Sequence, residues 1–389
     1  MKISQAPAKT PTAALVLADG TSIYGEGLGA PGEALGEVCF NTAMTGYQEI
    51  LTDPSYTDQI VTFTFPHIGN TGVNADDVEN ASPAMTTAAR GAILRAMATS
   101  PSNYRAQLDL SAWMRRRGII GIAGVDTRAL TSLIRNDGMP HAVIAHNPSG
   151  QFDIEAMQKK AADWAGLTNA DLAKEVTTKK PYAHEEAGWE WQTGYQPGAA
   201  TGPHIVVIDY GVKRNILRRL ASEGCRITVV PATTSCQEII EKNPDGVVLS
   251  NGPGDPAATG EYAAPVIREL IENKVPLLGI CLGHQMMALA VGAKTIKMAQ
   301  GHHGANHPVK DLSTGKVEIV SMNHGFTVDR ESLPDNVEET HISLFDQTNS
   351  GLTLKDAPAI SVQHHPEASP GPEDSFYIFR RFVEGLQAA

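Results

Sequence analysis

The second half of this chain alternates short apolar runs with amphipathic segments, and this pattern restricts the fold more than any other feature. The runs predicted as buried strands lie at residues 205–208, 227–230, 246–249 and 275–280. A helix is predicted over 213–221, and Ser235 with Glu238 indicates a capping box for the next one. Strands joined by helices require right-handed crossovers, so we predict an α/β fold with a mostly parallel sheet and helices on both faces. Ligands bind such sheets beyond the carboxyl ends of the strands, here after Leu249 and Ile280.

The rest of the chain shows two other patterns. A length of 389 residues exceeds the roughly 100–200 residues of a usual domain, so two or more domains are expected. Residues 1–175 mix strand and helix patterns without a catalytic set, and we predict an α+β domain there. Periodicity is lost over 176–203, where proline and glycine are frequent, so this stretch is predicted to be a linker pinned by Trp189 and Trp191. The α/β domain then spans 204–389.

Composition argues against several classes of protein. No apolar run approaches the roughly 20 residues that span a bilayer. The net charge of −12, without clustered basic residues, argues against a nucleic-acid surface. The 4 cysteines are too scattered for a disulfide framework, and the N-terminus lacks the apolar core of a signal peptide. We therefore expect a cytoplasmic protein, with its chemistry in the second half, where nine of the 13 histidines lie.

Cys281 has the sequence context of a nucleophile. It follows the last predicted strand and is flanked by Gly279 and Gly283, as serine is in the G-x-S-x-G elbow, where a sharp strand-to-helix turn leaves little room for side chains. A sulfur at the start of the next helix faces free N–H groups that favour the thiolate, and the Leu282 N–H is expected to face an oxyanion. A free cysteine is more often a small buried hydrophobe, which is our interpretation of Cys39, Cys225 and Cys236.

A cysteine nucleophile needs a base, and the base needs a group that orients it. His365 and Glu367 follow an apolar run at 359–362, so they too are expected beyond the carboxyl end of a strand. Alone, this segment is equally compatible with a polar turn, but together with Cys281 it completes a Cys, His, Glu set. The spacing across a stiff proline favours His365 as the base, and His364 stays open as an alternative in proton transfer.

These residues resemble the class I (triad) glutamine amidotransferases and, within them, the family of carbamoyl phosphate synthase small subunits. The resemblance covers essentially the full length apart from the first residues. Its C-terminal motifs are SNGPGDP at 250–256, GICLGHQ at 279–285, GHHGANHP at 301–308, NHGF at 323–326 and HPEASPGP at 365–372. An N-terminal segment, NTAMTGYQE at 41–49 through DPSY at 53–56, distinguishes this family from amidotransferases that lack such a domain.

The resemblance implies a flavodoxin-like amidotransferase domain with Cys281 as nucleophile, His365 as general base and acid, and Glu367 as its orienting partner. Gln285 is expected to offer both a donor and an acceptor to the charged head of L-glutamine. The residues implied to bind L-glutamine are Ser55, Gly252, Gly254, Leu282, Gln285, Asn323, Gly325 and Phe326.

The resemblance also implies a partner. The chain has no G-x-x-x-x-G-K-[ST] loop and no other recognisable ATP site, so it is not expected to drive a synthesis alone. The resemblance implies a large ATP-grasp subunit that uses ATP and Mg²⁺ and takes ammonia through a tunnel. This subunit is expected to make carbamoyl phosphate from bicarbonate for arginine and pyrimidine synthesis. Residues 1–175 are expected to dock this subunit in a heterodimer and to close the glutamine pocket through Ser55. No cofactor or metal is expected in this chain, because no carboxylate or cysteine completes a site with His302, His303 and His307.

Three other functions remain open on the sequence alone. The chain could be the glutaminase subunit of another synthase, such as the anthranilate, GMP or CTP enzymes, although its N-terminal domain argues against this. It could be a free-standing cysteine hydrolase of γ-glutamyl compounds, which would need no partner for full turnover. It could also be a docking subunit without activity, but Cys281, His365 and Glu367 are all intact.

Overall fold

The computed structural model describes residues 10–81 and 88–387. These residues form two compact units, each discontinuous in sequence. The first unit contains 10–40, 58–75 and 90–166, and the second contains 41–57, 76–81, 88–89 and 167–387. Two short segments from the first quarter of the chain therefore fold with its second half.

The elements are named in chain order. Up to residue 203 they are β1 (Ala13–Leu17), β2 (Ser22–Gly29), β3 (Gly32–Asn41), α1 (Tyr47–Thr52), β4 (Gln59–Phe63), β5 (Gly91–Leu94), α2 (Leu110–Arg117), β6 (Ile120–Ala123), α3 (Thr127–Asp137), β7 (His141–His146), α4 (Ile154–Ala162), α5 (Ala173–Val176) and β8 (Tyr182–His184). Beyond it they are β9 (His204–Asp209), α6 (Arg214–Ser222), β10 (Arg226–Pro231), α7 (Cys236–Ile240), β11 (Gly246–Leu249), α8 (Pro256–Glu272), β12 (Leu277–Ile280), α9 (Leu282–Ala290), β13 (Thr295–Asp311), β14 (Val317–Val328), β15 (Val337–Ser343), β16 (Asn349–Leu354), β17 (Ala359–Val362) and α10 (Tyr377–Gln387).

The first unit is built on a closed barrel with the strand order β1-β2-β6-β5-β4-β3-β7. Strand β1 is buried on both faces because its side chains alternate between two apolar clusters. Leu15 and Leu17 pack in one cluster with Ile144, while Val16 packs in the other with Met157 of α4. A barrel with packed helices agrees with the α+β prediction for this part of the chain.

The second unit contains a ten-stranded sheet, and its centre has the predicted parallel arrangement. Strands β10, β9, β11, β12 and β17 are parallel neighbours in that order. Numbered along the chain, this is the order 2-1-3-4-5 of flavodoxin-like folds. The carboxyl ends of these strands therefore meet at one edge of the sheet.

Helices cover both faces of the parallel strands, as predicted. Val206 and Ile208 of β9 face a cluster that contains Met286 of α9, and the intervening Val207 faces one that contains Phe379 of α10. A strand buried on both sides needs a continuous apolar run, which is why the sequence pattern located these strands. The capping box of α7 is also present, with Ser235 and Glu238 bonding reciprocally.

The antiparallel parts of this sheet were not predicted. Strands β16, β15, β13 and β14 extend it beyond β17, and β8 pairs antiparallel with β10 at the other edge. Strand β8 lies within the segment 176–203, so part of that stretch is a sheet edge. Trp189 and Trp191, expected to pin it, are 40% and 72% exposed and contact each other edge to face.

Candidate active site

Cys281 lies on the sharp turn between β12 and α9. Its backbone has φ 54° and ψ −103°, a conformation that residues other than glycine rarely adopt. The flanking glycines have a steric reason. A Cβ on Gly279 would lie 2.8 Å from the Gly283 carbonyl oxygen, and one on Gly283 would lie 2.1 Å from the Leu249 oxygen.

The sulfur of Cys281 is buried and contacts two polar groups. Its thiol donates to the backbone carbonyl oxygen of Asn323 at 3.6 Å, and Nε2 of Gln363 lies 3.7 Å from Sγ. Helix α9 begins at the next residue, Leu282, whose N–H belongs to the first turn, where backbone donors have no intrahelical partner. The sulfur therefore lies at a helix N-terminus, which favours negative charge.

His365 is brought to this edge of the sheet by strand pairing. Strands β12 and β17 are parallel, and Ile280 pairs with Val362, so Cys281 and His365 follow neighbouring strand ends. His365 Nδ1 lies 2.7 Å from Glu367 Oε1. Its other ring nitrogen, Nε2, is buried and has no hydrogen-bond partner among residues 10–81 and 88–387. This nitrogen remains for proton transfer.

The charges of this pair depend on each other. Burial alone would lower the pKa of His365, but the Glu367 carboxylate and Cys281 raise it to about 10. Burial alone would raise the pKa of Glu367, but Lys213 and His365 lower it to about 2. At neutral pH the pair is therefore an imidazolium beside a carboxylate.

Lys213 joins the pair, although the sequence analysis did not single it out. Its Nζ lies 2.9 Å from Glu367 Oε1 and donates to the Ala368 carbonyl oxygen. The Lys213 side chain is 3% exposed and that of Glu367 is 0% exposed. A signal was available in the sequence, because Lys213 follows β9 at the same sheet edge as the other two residues.

His364 makes none of these contacts. Neither of its ring nitrogens has a hydrogen-bond partner in the described part of the chain, and its ring lies 5.8 Å from that of His341. Burial and His341 lower the pKa of His364 well below its ordinary value, so this ring is neutral. Of the two adjacent histidines, only His365 is paired with Glu367.

Among the residues expected to bind glutamine, Ser55 lies in a short 3-10 helix, Pro54–Tyr56, of the second unit. Asn251 Nδ2 donates to Ser55 Oγ at 2.9 Å. Asn251 lies just after β11, next to Gly252 and three residues before Gly254, so this bond brings Ser55 to the carboxyl edge of the parallel strands. The structure thus joins one predicted residue from the first quarter of the chain to two from the second half.

Strand β14 carries Asn323, Gly325 and Phe326. Some of their polar groups already form hydrogen bonds within the protein. Asn323 Nδ2 donates to Asp53 Oδ2 at 3.2 Å, and its Oδ1 lies 2.9 Å from His303 Nδ1. Both polar ends of the Asn323 side chain are therefore engaged within the protein. Asp53, missed in the sequence, also accepts from the Ser55 N–H.

Gln285, in α9, differs from the expectation that it offers both a donor and an acceptor. Its Nε2 donates to the Phe326 carbonyl oxygen at 2.7 Å and to Gln363 Oε1 at 3.0 Å. Both N–H bonds are thus used within the protein. In this arrangement only the side-chain oxygen is left to accept a bond from a substrate.

A second group of buried histidines lies on β13 and β14, and its members are His302, His303, His307 and His324. The His302 ring lies 5.1 Å from that of His307, and its Nε2 lies 2.8 Å from Asp346 Oδ2. Burial lowers the pKa of His303 to about 4 and that of His307 to about 3. Within the described ranges, no group of three or more His, Cys, Asp or Glu side chains is placed to hold a metal ion.

No helix among the described residues is long and apolar enough to cross a membrane.

Comparison with known proteins divides the chain in the same two parts as its motifs. Residues 206–385 match the family model for class I glutamine amidotransferases, and residues 15–144 match that for the carbamoyl-phosphate synthase small chain, CPSase domain. The carbamoyl phosphate synthase small chain of Caulobacter vibrioides is 63% identical, over 97% of this chain and 97% of its own. The carbamoyl phosphate synthase small chain of Mesorhizobium japonicum is 62% identical, over 96% of this chain and 94% of its own. A solved glutamine amidotransferase from Thermotoga maritima aligns with 48% of this chain and 84% of its own, with 20% identity and a TM-score of 0.35, too low to support an inference.

Proposed function

The chain belongs to the family of carbamoyl phosphate synthase small chains, and we propose that Cys281, His365 and Glu367 give it the glutamine-hydrolysing activity of that synthase. The observation that carries this assignment is the buried pairing of His365 with Glu367 beside a cysteine on a strained turn. Such an arrangement holds a histidine in one tautomer next to a nucleophile.

The reaction begins with attack of the Cys281 thiolate on the side-chain carboxamide carbon of L-glutamine. The carbonyl oxygen becomes an oxyanion, which accepts hydrogen bonds from the Leu282 N–H and from a backbone N–H of Gly252 or Gly254. Nε2 of His365 then protonates the leaving nitrogen, and ammonia departs while a glutamyl thioester remains on the sulfur.

The second half of the reaction releases glutamate. His365, now neutral, takes a proton from water at Nε2, and the hydroxide attacks the thioester carbon. The thiolate leaves, and the enzyme returns to its first state. Throughout, Glu367 accepts from Nδ1 of His365, and Lys213 keeps that carboxylate ionised.

The remaining glutamine-binding residues hold the ends of the substrate. The Gln285 side-chain oxygen accepts from the α-ammonium group, because its N–H bonds are already used. Ser55, held by Asn251, closes the pocket from the segment 41–57, and the backbones of Asn323, Gly325 and Phe326 line its other side. This arrangement selects for a free α-amino acid.

The ammonia needs a second protein. Ammonia released into neutral water becomes ammonium, which has no lone pair for attack, so a useful glutaminase delivers it without exposure to solvent. We assign its use to a large ATP-grasp subunit that binds ATP and Mg²⁺, receives ammonia through a tunnel, and converts bicarbonate to carbamoyl phosphate. Residues 1–175 dock this subunit in a cytoplasmic heterodimer that serves arginine and pyrimidine synthesis.

The test is Cys281→Ser in the complex reconstituted with the large subunit. We expect loss of carbamoyl phosphate synthesis from glutamine and retention of synthesis from added ammonium salts. Continued synthesis from glutamine would show that Cys281 is not the nucleophile. The wild-type chain alone serves as the comparison for a free-standing hydrolase, which would hydrolyse glutamine at full rate without the large subunit.

A further inference from the structure

Gln363, the first residue after β17, is buried beside the nucleophile and has no part in the reaction as described above. Its side chain is 1% exposed. Its Nε2 lies 3.7 Å from Cys281 Sγ, and its Oε1 lies 3.0 Å from Gln285 Nε2. Gln363 therefore connects the reacting sulfur with a side chain proposed to bind the head of the substrate.

A backbone carbonyl fixes the direction of these hydrogen bonds. The Phe326 carbonyl oxygen can only accept, so the Gln285 atom 2.7 Å from it is the amide nitrogen. That nitrogen also faces Gln363, whose nearer atom must be the oxygen. The other end of the Gln363 amide, beside Sγ, is therefore the NH₂ group, which donates.

This donor distinguishes the two protonation states of the sulfur. A thiol on Cys281 donates to the Asn323 carbonyl, and a thiolate can only accept, for which Gln363 Nε2 is placed. Hydrogen bonds to an ionised acceptor are roughly twice as strong as neutral ones, so the Gln363 amide stabilises the thiolate over the thiol. Asn323 and Gln363 thus act on different states of one atom.

The amide chain also reaches the substrate. When an ammonium group donates to the free oxygen of Gln285, the Gln285 amide becomes more polarised and its N–H bonds donate more strongly. Chains of hydrogen bonds strengthen one another by roughly 10–30% per bond. The effect passes through the Gln363 oxygen to its NH₂ group and so to the sulfur.

We propose that Gln363 stabilises the Cys281 thiolate and relays to it the binding of the substrate's α-ammonium group at Gln285. The inference rests on the proposed function, because it takes L-glutamine as the ligand of Gln285. No bond is made or broken at Gln363.

The test measures the rate at which iodoacetamide alkylates Cys281 as a function of pH, in the complex with the large subunit and with the modified peptide identified by mass spectrometry. Gln363→Leu removes the donor at similar size, and Gln363→Glu replaces it with a carboxylate oxygen. We expect the midpoint of the profile to rise by about one pH unit in the leucine variant and further in the glutamate variant. For glutamine hydrolysis by Gln363→Leu, kcat should fall about 10- to 100-fold with KM changed less than about threefold.

The relay has a separate readout. L-2-aminobutyrate carries the α-ammonium and carboxylate groups of glutamine but no amide, so it can bind at Gln285 without reacting. Below the midpoint pH, we expect it to accelerate alkylation of the wild-type protein and to leave Gln363→Leu unchanged.

Ser361→Ala is the matched control, because Ser361 lies on β17 two residues before Gln363, and its Oγ bonds His284 Nδ1 at 2.9 Å. Its profile should equal that of the wild type. Circular dichroism and co-purification with the large subunit report the fold of each variant, and if Gln363→Leu fails these checks, Gln363→Glu decides in its place. A wild-type profile and aminobutyrate response in the deciding variant would overturn the inference. Absence of wild-type glutaminase activity with a Gln363-dependent profile would instead contradict the proposed function.

Discussion

His365 and the buried histidines His303 and His307 lie in the same unit but have opposite charge behaviour. The pKa of His365 is raised to about 10, whereas the pKa values of His303 and His307 are lowered to about 4 and about 3. All three side chains are at most 6% exposed, so exposure does not separate them. The difference lies in their neighbours, since His365 faces a carboxylate and the other two face mainly other rings.

The comparison shows that burial alone makes a histidine neutral and that a fixed anion reverses this effect. Glu367 can remain an anion in the interior because Lys213 is buried with it. The Asp346 carboxylate pairs with His302 of β13, and it raises the pKa of His307 less than burial lowers it. Three ways of changing these neighbours follow, from the largest expected effect to the smallest.

Removing the Glu367 carboxylate should leave His365 neutral at pH 7, like His303 and His307. Glu367→Gln keeps the size of the side chain but leaves His365 without its charged partner and without a fixed tautomer. We expect kcat for glutamine hydrolysis to fall by about 10⁴-fold, the order seen when triad carboxylates are neutralised or removed in hydrolases. Steady-state glutaminase assays in the complex measure this.

The control for this variant is Glu79→Gln. Glu79 is a buried carboxylate that accepts from the Asn215 N–H and does not contact His365. If both variants lose activity equally, general loss of buried negative charge is responsible, and the role of Glu367 as orienting partner is wrong.

Removing the Lys213 ammonium group should lower the free energy of unfolding more than it lowers the rate of glutamine hydrolysis. Lys213→Met leaves Glu367 buried with His365 as its one remaining ion-pair partner among the described residues. Breaking a buried ion pair typically costs about 3–5 kcal/mol, and we expect about 3 kcal/mol because His365 remains. Urea unfolding at pH 7 measures it, and Lys213→Arg, which keeps the charge, should lose clearly less. Equal losses would assign the effect to packing.

The neutral histidines should make the fold sensitive to acid. The folded pKa values of His303 and His307 lie below 6.5, so as the pH falls the unfolded chain takes up protons first, and stability decreases between about pH 6.5 and the folded value. The contribution of His365 to the free energy of unfolding depends on pH in the opposite direction. It is complete below about pH 6.5 and is lost as the pH rises through about 10.

His307→Leu tests this directly. Removing one histidine whose pKa is lowered to about 3 should reduce the stability lost between pH 7 and pH 5 by about 1–2 kcal/mol. Urea titrations at the two pH values give the difference. His67→Leu, at an exposed position, is the matched control. Its free energy of unfolding should decrease between pH 7 and pH 5 by as much as that of the wild type. An unchanged loss in His307→Leu would mean that folding does not lower the pKa of this ring.

The sequence predicted the parallel strands and the positions of Cys281, His365 and Glu367 for one physical reason. A strand buried on both faces must be apolar throughout, so its end is visible, and polar residues just beyond several such ends meet at one edge. The elbow glycines were visible because their neighbours leave no room for a Cβ.

Other features left no comparable signal. Lys213 follows β9 at the same sheet edge as Cys281 and His365, but this position alone does not distinguish it from a solvated lysine, and its contact with Glu367 makes it part of the site. Strand β8 has three residues, too few for a pattern, and is held by pairing with β10. The commitment of the Gln285 N–H bonds also depends on tertiary contacts, with Phe326 and Gln363.

The discontinuity of the second unit limits how this protein can be rearranged. A gene fragment that begins at residue 204 would encode the strands and the Cys281 elbow, yet Asn251 would lose Ser55 and Asn323 would lose Asp53. Such a fragment would contain the proposed nucleophile but would lack Ser55 and Asp53, which contact Asn251 and Asn323 in the full chain. A gene fusion that transfers the complete second unit to another protein must therefore include residues 41–57 as well as the C-terminal half. The unit that can be transferred is larger than the parallel sheet and its helices.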